Sequence, residues 1–382
     1  MENSLNVLLC VIRAGLWGEA DTNLNLNEGV DWGKVYQLAQ EQSVQGVVLQ
    51  GIEWFKNQND KPNINVNIPQ ILLLQWIGEV QIIEQRNKEM NAFIANLIEK
   101  LRKHDIFALL VKGQGVAQCY EKPLWRCSGD VDLFLDNENY HKAKELLITN
   151  ASYVENEVVD ELHIGMTIDG WVVELHGTLH SELSLNIDKQ IDWIQENVFK
   201  EGRIRPWHNG DTDIFLPAPD EDVIFVFTHI LQHFYKGGIG LRQICDWCRL
   251  MWTYKDSLNY GLLESRLKRA GLMSEWKVFG TLAIVHLGFP KEYMPLLNAN
   301  DDLNAKLKNK AERIIEFIMI SGNMGHNRDS SYMRYPYLVR KCFSMARRIG
   351  DLINHTRIFP FDSLRFFPYM MFNGVRSAMR GE

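Results

Sequence analysis

Asp130 and Asp132 flank Val131 at the head of the apolar run Asp130-Val-Asp-Leu-Phe-Leu135, and this pair is the first place where chemistry shows. On an extended strand, residues two apart share a face, so both carboxylates project together while Val131, Leu133 and Leu135 turn toward a core. Neighbouring carboxylates repel unless a proton or cation is shared between them. Mg²⁺ resolves such a pair, accepting one or two protein carboxylates together with phosphate oxygens of a substrate. Taken alone, Asp-x-Asp also describes a solvated pair, so the reading needs partners. Glu174, in Trp171-Val-Val-Glu-Leu-His176, shares its facing with Val172 and His176. It supplies a third carboxylate if its strand lies beside the first. His176 then falls at the edge of the site, and His163 opens the neighbouring strand, either near the site or hydrogen-bonded structurally. His180, just past the strand, is expected to face solvent. His229 and His233, four apart on a helix, have a spacing that binds zinc; it is also the spacing of helix-face histidines bonded to the core or the site rim.

The elements that must position these groups follow from the pattern around them. Phe107-Ala-Leu-Leu-Val-Lys-Gly113 reads as a buried strand ending in a Lys-Gly turn, with a short helix over Gln114–Tyr120. Glycine at such a turn lets backbone approach an anion, and the helix start offers N–H groups to phosphate. Lys112 and Arg126 stand where they could meet phosphate oxygens, Arg126 two at once. The plainer alternatives are a surface salt bridge for Arg126 and a solvated Lys112. Tyr140–Leu147 is helical in pattern. The runs 163–168 and 171–176, joined by Asp169-Gly170, read as a hairpin.

Together these motifs resemble the polymerase-β-type nucleotidyltransferase superfamily, and more narrowly a bacterial family known only as uncharacterised nucleotidyltransferases. The resemblance rests on Leu110-Val-Lys-Gly113, on Arg126 with Gly129-Asp-Val-Asp-Leu-Phe134, on Val173-Glu-Leu-His176, and on Leu216-Pro217 leading to Asp222 and a histidine-bearing helix. By motif it spans residues 95–255. It implies that Asp130, Asp132 and Glu174 hold metal and carry catalysis, with Lys112, Gly113, Gln114, Arg126 and Gly129 around a nucleoside triphosphate. One position departs: Gln114 stands where the superfamily commonly has Ser, which bears on triphosphate binding more than on metal binding. The implied activity uses Mg²⁺ or Mn²⁺ to move a nucleoside monophosphate from an NTP, ATP by abundance, to a hydroxyl of an unidentified acceptor. Two ions about 3.5–4 Å apart would clamp the attacking and leaving oxygens. One rival is an inactive member that binds a nucleotide or a protein. A second is a metal hydrolase centred on His229 and His233 with His163 or His176. The transferase reading requires the three carboxylates to meet at one point with no cationic side chain between them.

At 382 residues and 46% hydrophobic content the chain can bury a sizeable core. The pattern predicts an α+β fold, a small mixed sheet of polymerase-β-like type flanked by helical regions. The expected divisions are a helical region at 1–104, an α/β core at 105–217 and a helical region at 218–382. A loop containing Pro62 is expected at 57–67, and a long helix over 71–104, its stripe including Trp76, Val80, Met90, Leu97 and Leu101, packs against the sheet. Residues 200–215 read as turn-rich, with a short strand at Asp213–Leu216. Asp220-Glu-Asp222 opens a helix that ends at Gly237-Gly238. In the next helix Arg242 and Asp246 sit at i, i+4, the spacing of an ion pair; a nucleotide-lid role for Arg242 is the sharper alternative. Cys245 and Cys248 read as helix-borne thiols in a packed interior. A net charge of -7 argues against generic nucleic-acid binding. The start lacks a secretory pattern and no run reaches the ~20 apolar residues of a membrane span, so a cytoplasmic protein is expected. From Met333 onward, arginines interleave with aromatics. That segment is either a last helical layer with snorkelling arginines or a surface that docks a partner or a membrane.

Overall fold

Apolar residues at three- and four-residue spacing build four helices before the first strand: α1 (Glu2–Trp17), α2 (Trp32–Glu41), α3 (Gln45–Lys56) and α4 (Gln70–Arg102). The computed structural model describes residues 2–19, 29–58, 66–297, 304–327 and 331–380; Pro62 and most of the expected 57–67 loop lie outside them. Helix α4 has 33 residues, about 50 Å at 1.5 Å per residue, and serves two cores. Its first half sends Trp76 and Val80 into the N-terminal bundle, where the Trp76 and Tyr36 rings lie 4.9 Å apart. Its second half sends Met90, Ile94, Leu97 and Leu101 beneath the sheet.

The sheet follows as β1 (Leu109–Val111), α5 (Gly113–Ala117), β2 (Asp130–Phe134), α6 (Asn137–Ile148), β3 (Tyr153–Val154), β4 (His163–Ile168) and β5 (Trp171–His176). Its order is β1-β2-β5-β4-β3, mixed because β2 runs parallel to β5 and antiparallel to β1. Alternation divides it into two unlike faces. Leu110, Val131, Leu133, Ile164, Met166, Val173 and Leu175 fill one face, covered by α4 and α6. Asp130, Asp132, His163, Glu174 and His176 occupy the other, with Leu109, Val111 and Phe134 closing it at the β1 end. The β4–β5 hairpin turns at Asp169 and Gly170, with φ of 50° and 82°, the pair of left-handed residues that a tight turn matched to strand twist demands.

Beyond α7 (Leu185–Lys200), the turn-rich reading of 200–215 needs correction, since residues there form a hairpin, β6 (Ile204–Asn209) with β7 (Thr212–Pro217). Pro206 spoke against a strand, but β6 pairs only with β7, and a free edge tolerates proline. The remaining helices are α8 (Pro219–Lys236), α9 (Leu241–Thr253), α10 (Tyr260–Ala270), α11 (Met273–Leu287), α12 (Ala305–Ser321), α13 (Tyr337–Thr356) and α14 (Pro360–Arg380). Helix α8 spans from the sheet's polar face, where Phe225 meets Phe134, to α11, where Phe227 and Phe234 meet Phe279. The basic, aromatic C-terminal segment divides its roles. Ile358, Phe359, Phe366 and Met370 are buried, whereas Phe343, Ile349, Ile353 and Phe372 are exposed. Among the described residues no helix is long and apolar enough to cross a membrane.

Candidate active site

The polar face of the sheet carries the site. Asp132 and Glu174 are register partners on the parallel strands β2 and β5, and Asp130 shares their face two residues earlier. Asp130 is pushed above its ordinary value, first by repulsion from Asp132, then by burial and by Glu174. Negative charge therefore outweighs the fixed positive charge at this point, which suits a divalent cation. One cation is nevertheless built in. Lys112 donates to Asp132 Oδ1 at 3.0 Å, a cationic contact at one of the three carboxylates that counts against the transferase reading unless a metal ion replaces it. Burial opposes the charge on Lys112, but Asp132, Glu174 and Asp130 together hold its pKa up. A metal ion bound at Asp132 would have to displace this ammonium.

The histidines crowd the same face. His176 Nε2 lies 2.8 Å from Asp132 Oδ1 and 3.4 Å from Glu174 Oε2, and His163 Nε2 lies 3.3 Å from that same oxygen. Hydrogen bonds to His163 and His176 hold Glu174 well below the usual carboxylate range against its burial. Burial works against Asp132 ionisation too, yet Lys112 and His176 lower its pKa. Across the cleft α8 presents His229 and His233, whose Nε2 atoms lie 3.1 Å apart. Burial pushes His229 well down and His233 down to about 4, so both are neutral near pH 7. Together with Lys112, Glu174 and His176 they line a cleft of about 560 Å³.

The residues expected around a nucleotide divide into those at the cleft and those spent elsewhere. Lys112, at φ 55° and ψ -140°, and Gly113, at φ 35°, make the strained turn that delivers the ammonium to Asp132. Gly129 leads directly into Asp130 with open space around its α-carbon. Gln114, by contrast, is buried, and its amide donates to Asn87 Oδ1 at 2.7 Å. Arg126 is buried as well, and it pairs in bidentate fashion with Asp246 at 2.8 and 2.7 Å while also donating to Ser128 and Cys127. Neither side chain is therefore available to phosphate in this arrangement. The expected Arg242–Asp246 pair is corrected on the same grounds: Tyr120 and Arg126 take Asp246, and Arg242 donates to the Cys127 carbonyl instead. Arg242 remains within electrostatic reach of Asp130. His180 is not solvent-facing, since it bridges Glu161 at 3.3 Å and Asp192 at 2.6 Å.

Two sets of residues escaped the sequence reading. Asn87 on α4 donates to the Leu124 and Arg126 carbonyls at 2.8 and 2.7 Å, clamping the loop that feeds β2. A buried asparagine inside an amphipathic stripe was the available signal. The second set is C-terminal: Arg348 on α13, with Tyr369, Asn373 and Arg376 on α14, forms the far wall of the cleft, a place not expected for the basic, aromatic segment to which Arg348, Tyr369 and Arg376 belong. No local motif announces these residues.

Residues 28–288, from α2 through the end of α11, match a family described as uncharacterised nucleotidyltransferase. No curated protein and no solved structure matches the chain.

Proposed function

The chain belongs to that uncharacterised nucleotidyltransferase family, and from this membership and the site geometry we propose that it moves a nucleoside monophosphate from an NTP to a hydroxyl acceptor. The observation that carries the reading is the registration of Asp132 beside Glu174, with Asp130 on the same face and a cleft that Glu174 lines. Within this reading the core is polymerase-β-like and occupies 105–217, framed by helical regions at 1–104 and 218–382. Asp130, Asp132 and Glu174 are its metal ligands. Mg²⁺ or Mn²⁺, two ions in the full form of the proposal, would neutralise phosphate charge and lower the pKa of the acceptor hydroxyl. Lys112, once released from Asp132, is placed to meet phosphate oxygens, while Arg242 reaches Asp130 electrostatically and Arg348 brings positive charge to the cleft wall. His176 orients Asp132 through its 2.8 Å contact. ATP is the donor expected on abundance, and the cytoplasm, where NTPs are made, is the expected location. The exposed aromatics and arginines of α13 and α14 offer a docking face for a partner or a membrane surface.

Incubating the full chain with Mg²⁺, each α-labelled NTP and cell extract tests donor and acceptor together. Label transfer with pyrophosphate release is expected, falling about 1,000-fold in Asp130→Asn and Asp132→Asn. Undiminished transfer in both variants would overturn the reading. A second reading has its own observation: Lys112 already neutralises Asp132, and Gln114 turns its amide to α4. That is the arrangement of a member that binds a nucleotide or protein without turnover. Calorimetry showing NTP binding with no pyrophosphate release across acceptors would favour it.

A further inference from the structure

We propose that His163, Glu174 and His176 form a site for a single divalent transition ion of the zinc or cobalt class, beside the all-oxygen pair Asp130 and Asp132. Their donor atoms all lie within 4.8 Å of one another. Two of the three separations, 3.3 and 3.4 Å to Glu174 Oε2, match the ~3.4 Å edge that tetrahedral bonds of about 2.0–2.1 Å impose. The hairpin explains why the three donors meet. His163 and His176 are register partners across β4 and β5, and Glu174 precedes His176 by two on the same face. The residue opposite Glu174 is Gly165, so no β4 side chain separates the carboxylate from His163. The donors thus ride on paired strands fixed by a tight turn rather than on loops, and two imidazoles with one carboxylate leave a coordination position open toward the cleft.

The donor set selects the ion. Imidazole nitrogen favours zinc, cobalt and their neighbours, whereas Mg²⁺ prefers oxygen and sheds water reluctantly. Asp132 Oδ1, 2.8 Å from His176 Nε2, brings a further negative charge to the same point and joins this site to the carboxylate face. The site shares Glu174 with the transferase ligand set and would take the His176 nitrogen that otherwise contacts Asp132, so a bound transition ion redirects both side chains, but its test reads metal binding and needs no nucleotide transfer.

The test uses the full chain dialysed against chelator and titrated with Co²⁺, reading the visible ligand-field absorption of the bound ion. A single equivalent should bind with a nitrogen-coordinated spectrum and survive a large excess of Mg²⁺. His163→Ala, at a partly exposed position, should weaken binding about 100-fold or more, while Asp130→Asn, outside this donor set, should keep the band. Absence of the band, equal displacement by Mg²⁺, or unchanged binding in His163→Ala would overturn the proposal. If His163→Ala does not fold by circular dichroism, the Mg²⁺ competition on the unaltered chain decides. Mg²⁺-dependent pyrophosphate release without cobalt binding would remove this site and leave the transferase reading intact; cobalt binding without turnover would do the reverse.

Discussion

Lys112 concentrates the site's energetics in one side chain. A non-glycine residue at φ 55° and ψ -140° costs about 1–3 kcal/mol of backbone strain, and here that strain sets an ammonium against a buried carboxylate. Lys112→Met leaves Asp132 buried with His176 alone, and breaking such a pair costs about 3 kcal/mol in metal-free buffer. Added Mg²⁺ should then raise the thermal midpoint of Lys112→Met more than that of the unaltered chain, because no internal cation competes. Equal shifts would show that Lys112 does not guard the cation position. Arg126 carries the opposite lesson. Its bidentate hold on Asp246 predicts that Arg126→Lys loses about 1–3 kcal/mol in urea unfolding, with NTP affinity changing little. A phosphate ligand would reverse that pattern, keeping stability and losing affinity. The local i, i+4 rule had matched Asp246 with Arg242. What wins instead is a buried bidentate pair spanning 120 positions, which no local rule can see.

The β4–β5 hairpin was legible as an element because period-two alternation and an Asp-Gly turn are both local signals. Strand β6 was not, since Arg205, Pro206 and His208 blur the alternation and only its pairing with β7 makes it extended. His180 belongs with these tertiary cases, as its environment is assembled from the 3₁₀ turn at Val159–Glu161 and from α7. Burial opposes its charge, yet hydrogen bonds to Glu161 and Asp192 prevail and push the imidazole up from 6.5 to about 9. A raised pKa stabilises the fold fully below the unfolded value, and that contribution drains away as pH climbs from 6.5 to 9. Allowing for solvent screening, His180→Gln should be about 1–2 kcal/mol less stable than the unaltered chain near pH 6. Chemical denaturation at stepped pH should show the gap closing toward pH 9. A gap that holds constant would mean that no imidazolium links these two elements.

Across the whole molecule, the cleft draws on parts that lie far apart in sequence. Glu174, His163 and His176 come from the sheet, the neutral histidines from α8, and the outer wall from α13 and α14, which lie beyond the family match. Composition could not place that wall, because the arginine and aromatic pattern of the C-terminal segment is the same whether a helix packs inward or stays exposed. Glu275 on α11 sits where these parts converge. It accepts a hydrogen bond from Tyr235 of α8 at 3.2 Å, and α14 brings Asp362 and Arg365 within electrostatic range. Burial, reinforced by Asp362, pushes Glu275 up to about 8. The sign is the same as for His180 although the charge type differs: the folded chain keeps a proton that the unfolded chain releases, so stability falls as pH rises from 4.5 to 8. Glu275→Gln preserves shape and hydrogen bonding without a proton to lose. Relative to the unaltered chain it should gain about 2–4 kcal/mol between pH 4.5 and pH 8, read as a widening difference in thermal midpoint. If the two midpoints instead run parallel across that range, Glu275 is ionised in the fold, and the junction of α8, α11 and α14 must hold a buried negative charge.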